Sequence, residues 1–234
     1  MPDMTPDQAK AAILQAALRD AAFDGWTDVM LAKAAERAGL PQGAETLYFP
    51  DGVISIIAHW SEQMDAAARD RIEAFDLASL KIRERVTQAV IIRLSEIGRH
   101  EEAARRAQAR LSLPDGIATG AKITWAAADM IWRAIGDTST DGNFYSKRAV
   151  LSAVLSSTAP VWLSDGLPDK PDARAFLDRR IENVMQFEKA KAQVQRVTRN
   201  MPNPAEVLGR MRYGGAAGGL PTRRQKRRIR RGGT

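Results

Sequence analysis

His59 and His100 are the only histidines in 234 residues, and there is no cysteine. That inventory removes thiolate nucleophiles, disulfides and Cys-based zinc sites, and it fits a reducing compartment. Neither histidine stands at a metal-ligand spacing from the other, and His59, beside Trp60 on an apolar helical stretch, reads as packed or surface. A nucleophile would need a base and an orienting group within reach, and no local text supplies them. The glycine-rich stretch 214–219 follows no strand and reads as a linker, not a phosphate loop. These residues point away from an enzyme and imply no cofactor.

The remaining residues able to do something specific are aromatic. Trp125 and Trp132 are seven apart on a helical pattern, so their indoles share a face, and Trp162 lies in the next apolar run. Two readings stay open. Aromatic residues at helical spacing are commonly core. Alternatively Trp125, Met130, Leu151, Val154, Leu155 and Trp162 line an apolar cavity, with small residues such as Ala126, Ala127, Ala134 and Ala153 leaving room between the large ones. Between these segments runs the polar, aromatic stretch Thr138-Ser139-Thr140-Asp141-Gly142-Asn143-Phe144-Tyr145-Ser146-Lys147-Arg148, which reads as a hinge. Its aromatic pair, flanked by Asp141 and Arg148, has the make-up of an interaction hot spot. The plainer reading has Asp141 or Ser139 capping the next helix while Phe144 and Tyr145 pack locally.

Charge is unevenly placed. The net +7 arises from 35 cations and 28 anions, and Arg223, Arg224, Lys226, Arg227, Arg228, Arg230 and Arg231 account for all of the excess. Such a tail, rich in glycine and poor in apolar residues, is expected to be disordered, with an attraction to anionic lipid or RNA. No window of about 18 apolar residues occurs, so membrane contact would be peripheral. The acidic start, Met-Pro-Asp-Met-Thr-Pro-Asp-Gln, lacks a secretory core, which predicts a cytoplasmic protein.

The elements expected to position these residues are all helical. Thr5-Pro6-Asp7-Gln8 reads as a capped helix start, and Gly25 as its stop. Short helices follow over 29–38 and about 41–48, and Asp51-Gly52 opens a longer one. Further helices are predicted over 80–97, 101–111, 117–135 and 149–163, the last kinked or ended at Pro160. Asp172 is expected to cap a final long helix that ends at Pro202 and Pro204. The domains expected are a head over 1–50, a helical body over 51–200 and the tail over 201–234.

Ile13-Leu14-x-Ala16-Ala17 through Gly25-Trp26-Thr27, then Ala34-x-x-Ala38-Gly39-Leu40 and Leu47-Tyr48-Phe49-Pro50-Asp51, resemble the helix-turn-helix head of TetR-type regulators. Residues 1–60 nevertheless hold only Lys10, Arg19, Lys33 and Arg37 against eight carboxylates, and the would-be recognition helix has no cation. Phosphate neutralisation and arginine base contacts dominate DNA affinity, so specific DNA binding is not expected.

Gly136-Asp137-x-Ser139-Thr140-Asp141-x-Asn143-Phe144-Tyr145-x-Lys147-Arg148, followed by Leu151, Thr158, Asp165 and Phe176-Leu177-x-x-Arg180-Ile181, resembles the lipid-binding accessory family of ubiquinone biosynthesis, the ninth Coq protein of eukaryotes and its bacterial relatives. The resemblance covers about residues 9–190. It implies an all-α, TetR-like homodimer that binds an isoprenoid or quinone lipid in its larger domain, peripheral to the inner membrane, and that catalyses no step. It also implies a partner, the demethoxyubiquinone hydroxylase, contacted through Ile131, Trp132, Asp141, Asn143, Phe144, Tyr145 and Arg148. Phe144 stands where the family usually has tryptophan, and Pro202 and Pro204 interrupt the family's C-terminal amphipathic helix. The competing reading is a TetR-type, ligand-responsive transcriptional regulator.

Overall fold

The computed structural model describes residues 4–77, 79–140 and 142–199, the side chains of Met185 and 187–199 excepted, and these residues are all-helical. Thr5 and Gln8 close a reciprocal cap in front of α1 (Pro6–Asp24), with Pro6 in the first turn where its missing N–H costs nothing. Gly25, at φ 73°, ends the helix in a conformation few side chains tolerate. Thr27 caps α2 (Asp28–Arg37) by accepting from the Met30 amide at 3.2 Å. The third helix is shorter than the spacing predicts: Gly43 is left-handed at φ 83°, so α3 comprises only Ala44–Tyr48.

α4 (Val53–Ala74) begins with help from afar. The Asp28 carboxylate accepts from the Val53 amide at 3.3 Å, and a Cβ at Gly52 would lie 2.4 Å from that carboxylate oxygen. Glycine at φ 59° is therefore what lets α2 cap α4. Then come α5 (Ile82–Ser95), α6 (Glu101–Leu111) and α7 (Ile117–Ala134), close to the predicted spans.

Trp26 joins head to body. Its indole N–H donates to the Ala103 carbonyl of α6 at 2.9 Å, and its ring stacks on Trp60 of α4 with centroids 5.9 Å apart. One buried cluster runs from Ile13 and Leu14 through Trp60, Val90 and Ile131 to Leu155, Leu177 and Ile181. α1 and α2 of the head thus bury their apolar faces against the same core as the body.

One expectation about the central stretch is corrected. α8 spans Gly142–Ser164, so Asn143 to Arg148 form its first turns instead of a hinge. The helix also continues through Pro160. That ring sits on the exposed side of α8, where the Ser156 carbonyl it deprives of an amide faces water, as Ser156 is exposed too.

α9 (Pro171–Arg199) is capped by Asp165, not by Asp172 as the sequence suggests. The buried Asp165 carboxylate accepts from the amides of Asp172 at 2.9 Å, Ala173 at 3.1 Å and Leu167 at 3.2 Å. Burial pushes its pKa up, but these amides and the Lys170 charge outweigh burial and hold it below the usual aspartate value. A depressed carboxyl pKa stabilises the fold above the unfolded value and loses that contribution as pH falls through the folded one. Asp165→Asn is therefore expected to speed hydrogen exchange at the Asp172 and Ala173 amides at neutral pH, with the difference from the parent shrinking in acid.

α9 leaves the first compact unit at Met185; in the second unit, Gln186–Thr234, it continues to Arg199. The tail expected over 201–234 lies outside the described residues.

Candidate functional site

α7 and α8 pack along each other, and a buried guanidinium ties their ends together. Arg148, in the second turn of α8, is 1% exposed. Its Nε donates to Asp129 of α7, while Nη1 donates to Asp137 of the loop at 3.3 Å and to the Phe144 carbonyl at 3.2 Å. The guanidinium also lies 3.5 Å from the Phe144 ring centroid. Only a planar, five-donor cation can span two carboxylates, a carbonyl and an aromatic face at once.

Asp137 is the second node. It accepts from Lys147 Nζ at 2.6 Å and from Ser139 Oγ at 2.9 Å, besides Arg148. Burial would raise its pKa, yet the bonds from Lys147 and Ser139, the Lys147 charge and the Arg148 bond hold it below the ordinary value. Asp129 splits its oxygens between Arg148 and Arg133, the latter at 2.7 Å.

On this base stands an aromatic surface. Tyr145 is 65% exposed, packs edge-on against half-buried Phe144 with centroids 5.1 Å apart, and lies 6.5 Å from Trp125. Trp132, also half-buried, donates its indole N–H to the Lys147 carbonyl at 3.1 Å, and Lys147 Nζ sits 5.2 Å from that ring's centroid. Tyr145, Phe144, Trp125 and Trp132 are thus rigid, partly wet aromatic groups held by a charged frame, the composition favoured at protein-binding hot spots.

The seven residues expected to meet a partner divide accordingly. Trp132, Asn143, Phe144 and Tyr145 reach the surface, while Asp141 lies outside the described residues. Ile131 is fully buried and Arg148 nearly so, which corrects their place: they support the surface from beneath. The local-capping reading of Ser139 is also replaced, since its hydroxyl serves Asp137 and Lys147. Sequence reasoning missed Asp129, Asp137 and Lys147 as site residues. The available signal was one arginine, Arg148, placed in an otherwise apolar face of α8, a position that demands buried carboxylates nearby.

Of the six residues expected to line a cavity, Met130, Leu151, Val154, Leu155 and Trp162 are buried in the common core. Trp125 differs: it is half-buried and belongs with Tyr145. A cleft of about 290 Å³ between α5 and α9 is lined by Arg83, Thr87, Gln88, Ile91, Arg174 and Asp178, among others, and by none of those six. Within the buried face of α8 one polar atom stands out. Thr158 is fully buried and its hydroxyl has no hydrogen-bond partner, an arrangement that costs about 1–3 kcal/mol.

The histidines take structural places. His100 precedes α6 with its ring edge-on to Trp60 at 6.3 Å, and burial followed by the Arg99 charge lowers its pKa. His59 packs near Phe49 and contacts Gln63 at 3.1 Å. Among the described residues no group of three or more His, Cys, Asp or Glu is placed to hold a metal ion.

The same helices carry the likeness to known proteins. The COQ9 family model matches residues 117–188, which contain α7, α8, their loop and the start of α9. The rat mitochondrial ubiquinone biosynthesis protein COQ9 is 32% identical over 196 residues, covering 81% of this chain and 62% of the rat protein. The human one is 28% identical over 195 residues, covering 81% and 61%. The chain thus spans about three-fifths of the length of these curated relatives. Among solved structures, a TetR transcriptional regulator from Nitrosomonas europaea superposes with a TM-score of 0.60 at 19% identity, over 74% of this chain and 95% of that one, a likeness of fold alone. The chain is a TetR-fold homologue of the COQ9 proteins, with the family's matching segment in the α7–α8 hairpin and the start of α9.

Proposed function

We propose that this protein is a non-catalytic accessory of ubiquinone biosynthesis that binds an isoprenoid or quinone lipid among its body helices and presents it to the demethoxyubiquinone hydroxylase. The observation that carries the reading is the aromatic surface of Tyr145, Phe144, Trp125 and Trp132 on the buried Arg148 frame, within the segment matched by the family model. An exposed tyrosine contributes little to its own fold, so a frame of buried ion pairs that fixes its position supports a role outside the chain. In support of lipid binding, the inward face of α8 is apolar and carries Leu151, Val154, Leu155 and Trp162. Homodimerisation and peripheral contact with the membrane complete the proposal; no described helix is long and apolar enough to cross one.

A ligand-responsive regulator is disfavoured by the head. α3, Ala44–Tyr48, carries no cation, and its most prominent exposed side chain is Leu47. A surface of that kind neutralises no phosphate.

The test is Tyr145→Ala, with binding to the purified hydroxylase measured alongside thermal unfolding. Affinity is expected to fall at least about tenfold, as for a central hot-spot residue, with the unfolding temperature unchanged within about 2 °C. Undiminished affinity would remove this surface from the interface.

A further inference from the structure

The cleft between α5 and α9 holds about 290 Å³, room for roughly ten water molecules at ~30 Å³ each. Each wall carries both signs of charge: Arg83 and Glu84 on α5, Arg174 and Asp178 on α9. Thr87 and Gln88 add a hydroxyl and an amide, and Ile91 is the single apolar side chain of the lining. None of these residues belongs to the aromatic surface or to the apolar face of α8.

The two walls differ in how far their charges are engaged. Arg83 is paired with Glu182, and the Glu84 carboxylate accepts from the Lys81 amide at 2.9 Å. Arg174 Nε donates to the Asp169 carbonyl at 2.7 Å, which sets the plane of the guanidinium and leaves both Nη groups over. Among the described residues neither Arg174 nor Asp178 has a charged partner, although they stand one turn apart on one face of α9. A cation placed before an acid is the weaker order for such a helical pair.

A simple anion drawn to Arg174 also meets the carboxylates of Asp178 and Glu84, and a simple cation meets Arg174 and Arg83. Hydrocarbon finds only Ile91. A short chain with a carboxylate at one end and an ammonium at the other satisfies both free charges. Its carboxylate accepts from the two Arg174 Nη groups in the bidentate manner a guanidinium favours, and its ammonium donates to Asp178. Cβ atoms one turn apart are about 5–6 Å from each other, a separation that an extended γ-amino acid spans. The Thr87 hydroxyl and Gln88 amide face the same guest from α5.

We propose that the α5–α9 cleft is a binding site for a small amino acid zwitterion, with Arg174 holding the carboxylate and Asp178 the ammonium. The site stands independently of the lipid and hydroxylase readings.

The experiment titrates the isotopically labelled full chain with three probes of similar length, γ-aminobutyrate, butyrate and butylammonium, and follows the amide resonances of Thr87, Gln88 and Ile91. The parent is expected to show saturable shifts with γ-aminobutyrate, at an affinity at least about tenfold above either singly charged probe, since each of those lacks one charged hydrogen bond. In Arg174→Gln, γ-aminobutyrate falls to the level of butylammonium, and in Asp178→Asn to the level of butyrate. Both side chains are exposed, so the unfolding temperatures stay within about 2 °C of the parent's. The proposal is overturned if γ-aminobutyrate gives no saturable shift at Thr87 and Gln88, if the parent binds butyrate or butylammonium equally well, or if both variants keep parental affinity. Should a variant unfold, the comparison of the three probes on the parent decides by itself.

Discussion

Arg148→Ala is expected to destabilise the protein by about 3–5 kcal/mol, the usual cost of stranding the partners of a buried ion pair. The guanidinium is 1% exposed, and among the described residues its removal leaves Asp137, whose side chain is 7% exposed, paired with Lys147 alone, and Asp129 with Arg133 alone. In a unit of 185 residues, at about 2–4 °C per kcal/mol, calorimetry should register a drop of roughly 10 °C. A drop below about 3 °C would show that the loop and Phe144 hold their places without it. Arg148→Lys should recover only part of the loss, since an ammonium reaches one carboxylate and has no planar face for Phe144. The pH profile adds a check. Asp137 has a depressed pKa, so its stabilising contribution is complete above the ordinary aspartate value and fades as pH falls through the folded one. The parent–variant gap should hold steady near neutrality and narrow in acid. Because Phe144 loses both its cation and the donor to its carbonyl, the proposed binding to the hydroxylase should weaken as well.

Asp65→Ala is expected to cost a comparable amount, about 3–5 kcal/mol, by a different route. Asp65 of α4 and Arg93 of α5 are 7% and 6% exposed and paired to each other; Arg93 also donates to Ser61 Oγ at 2.8 Å and its carbonyl at 3.4 Å. Removing the carboxylate leaves a guanidinium in the core with Ser61 and the weakly accepting Met64 sulfur as its remaining partners. Replacing both, Asp65→Leu with Arg93→Met, should be neutral or stabilising by about 1–4 kcal/mol, because the desolvation of both charges disappears together. Thermal unfolding of the single and double variants decides between these outcomes. Here the pH slope has the opposite sign. Burial raises the Asp65 pKa more than the Arg93 charge and hydrogen bond lower it. A raised carboxyl pKa favours the fold fully below the unfolded value, and that contribution is lost as pH rises through the folded one. Asp65→Asn should therefore flatten the decline in this interval, where Asp137 and Asp165 are already ionised.

Most of the helical plan was legible because its signals are local. The cap of α1 lies within four residues, Thr5 to Gln8, and α6 begins and ends where polarity and turn residues place it. The resemblance carried by residues 136–181 pointed to the same family as the comparisons, since a motif is itself a property of the chain. The capping groups that were missed act at a distance. Asp165 caps α9 from seven residues upstream of Asp172, and Asp28 caps α4 across twenty-five residues, pairings that no sequence window contains. The beginning of α8 was misread for a related reason: Asn143 to Arg148 look polar enough for a loop, but Arg148 points inward to Asp129.

What the sequence determined by itself was the helical fold, the cation-poor head and the aromatic, family-like stretch, because periodicity, charge and motif are fixed residue by residue. What only the tertiary structure decided was the direction each side chain of that stretch faces. Tyr145 goes to solvent and Arg148 three residues later to the core, because successive positions on a helix point about 100° apart and the packing of α7 against α8 selects which of them is buried. The same packing left Thr158 inside with an unpaired hydroxyl, where composition shows only one more threonine.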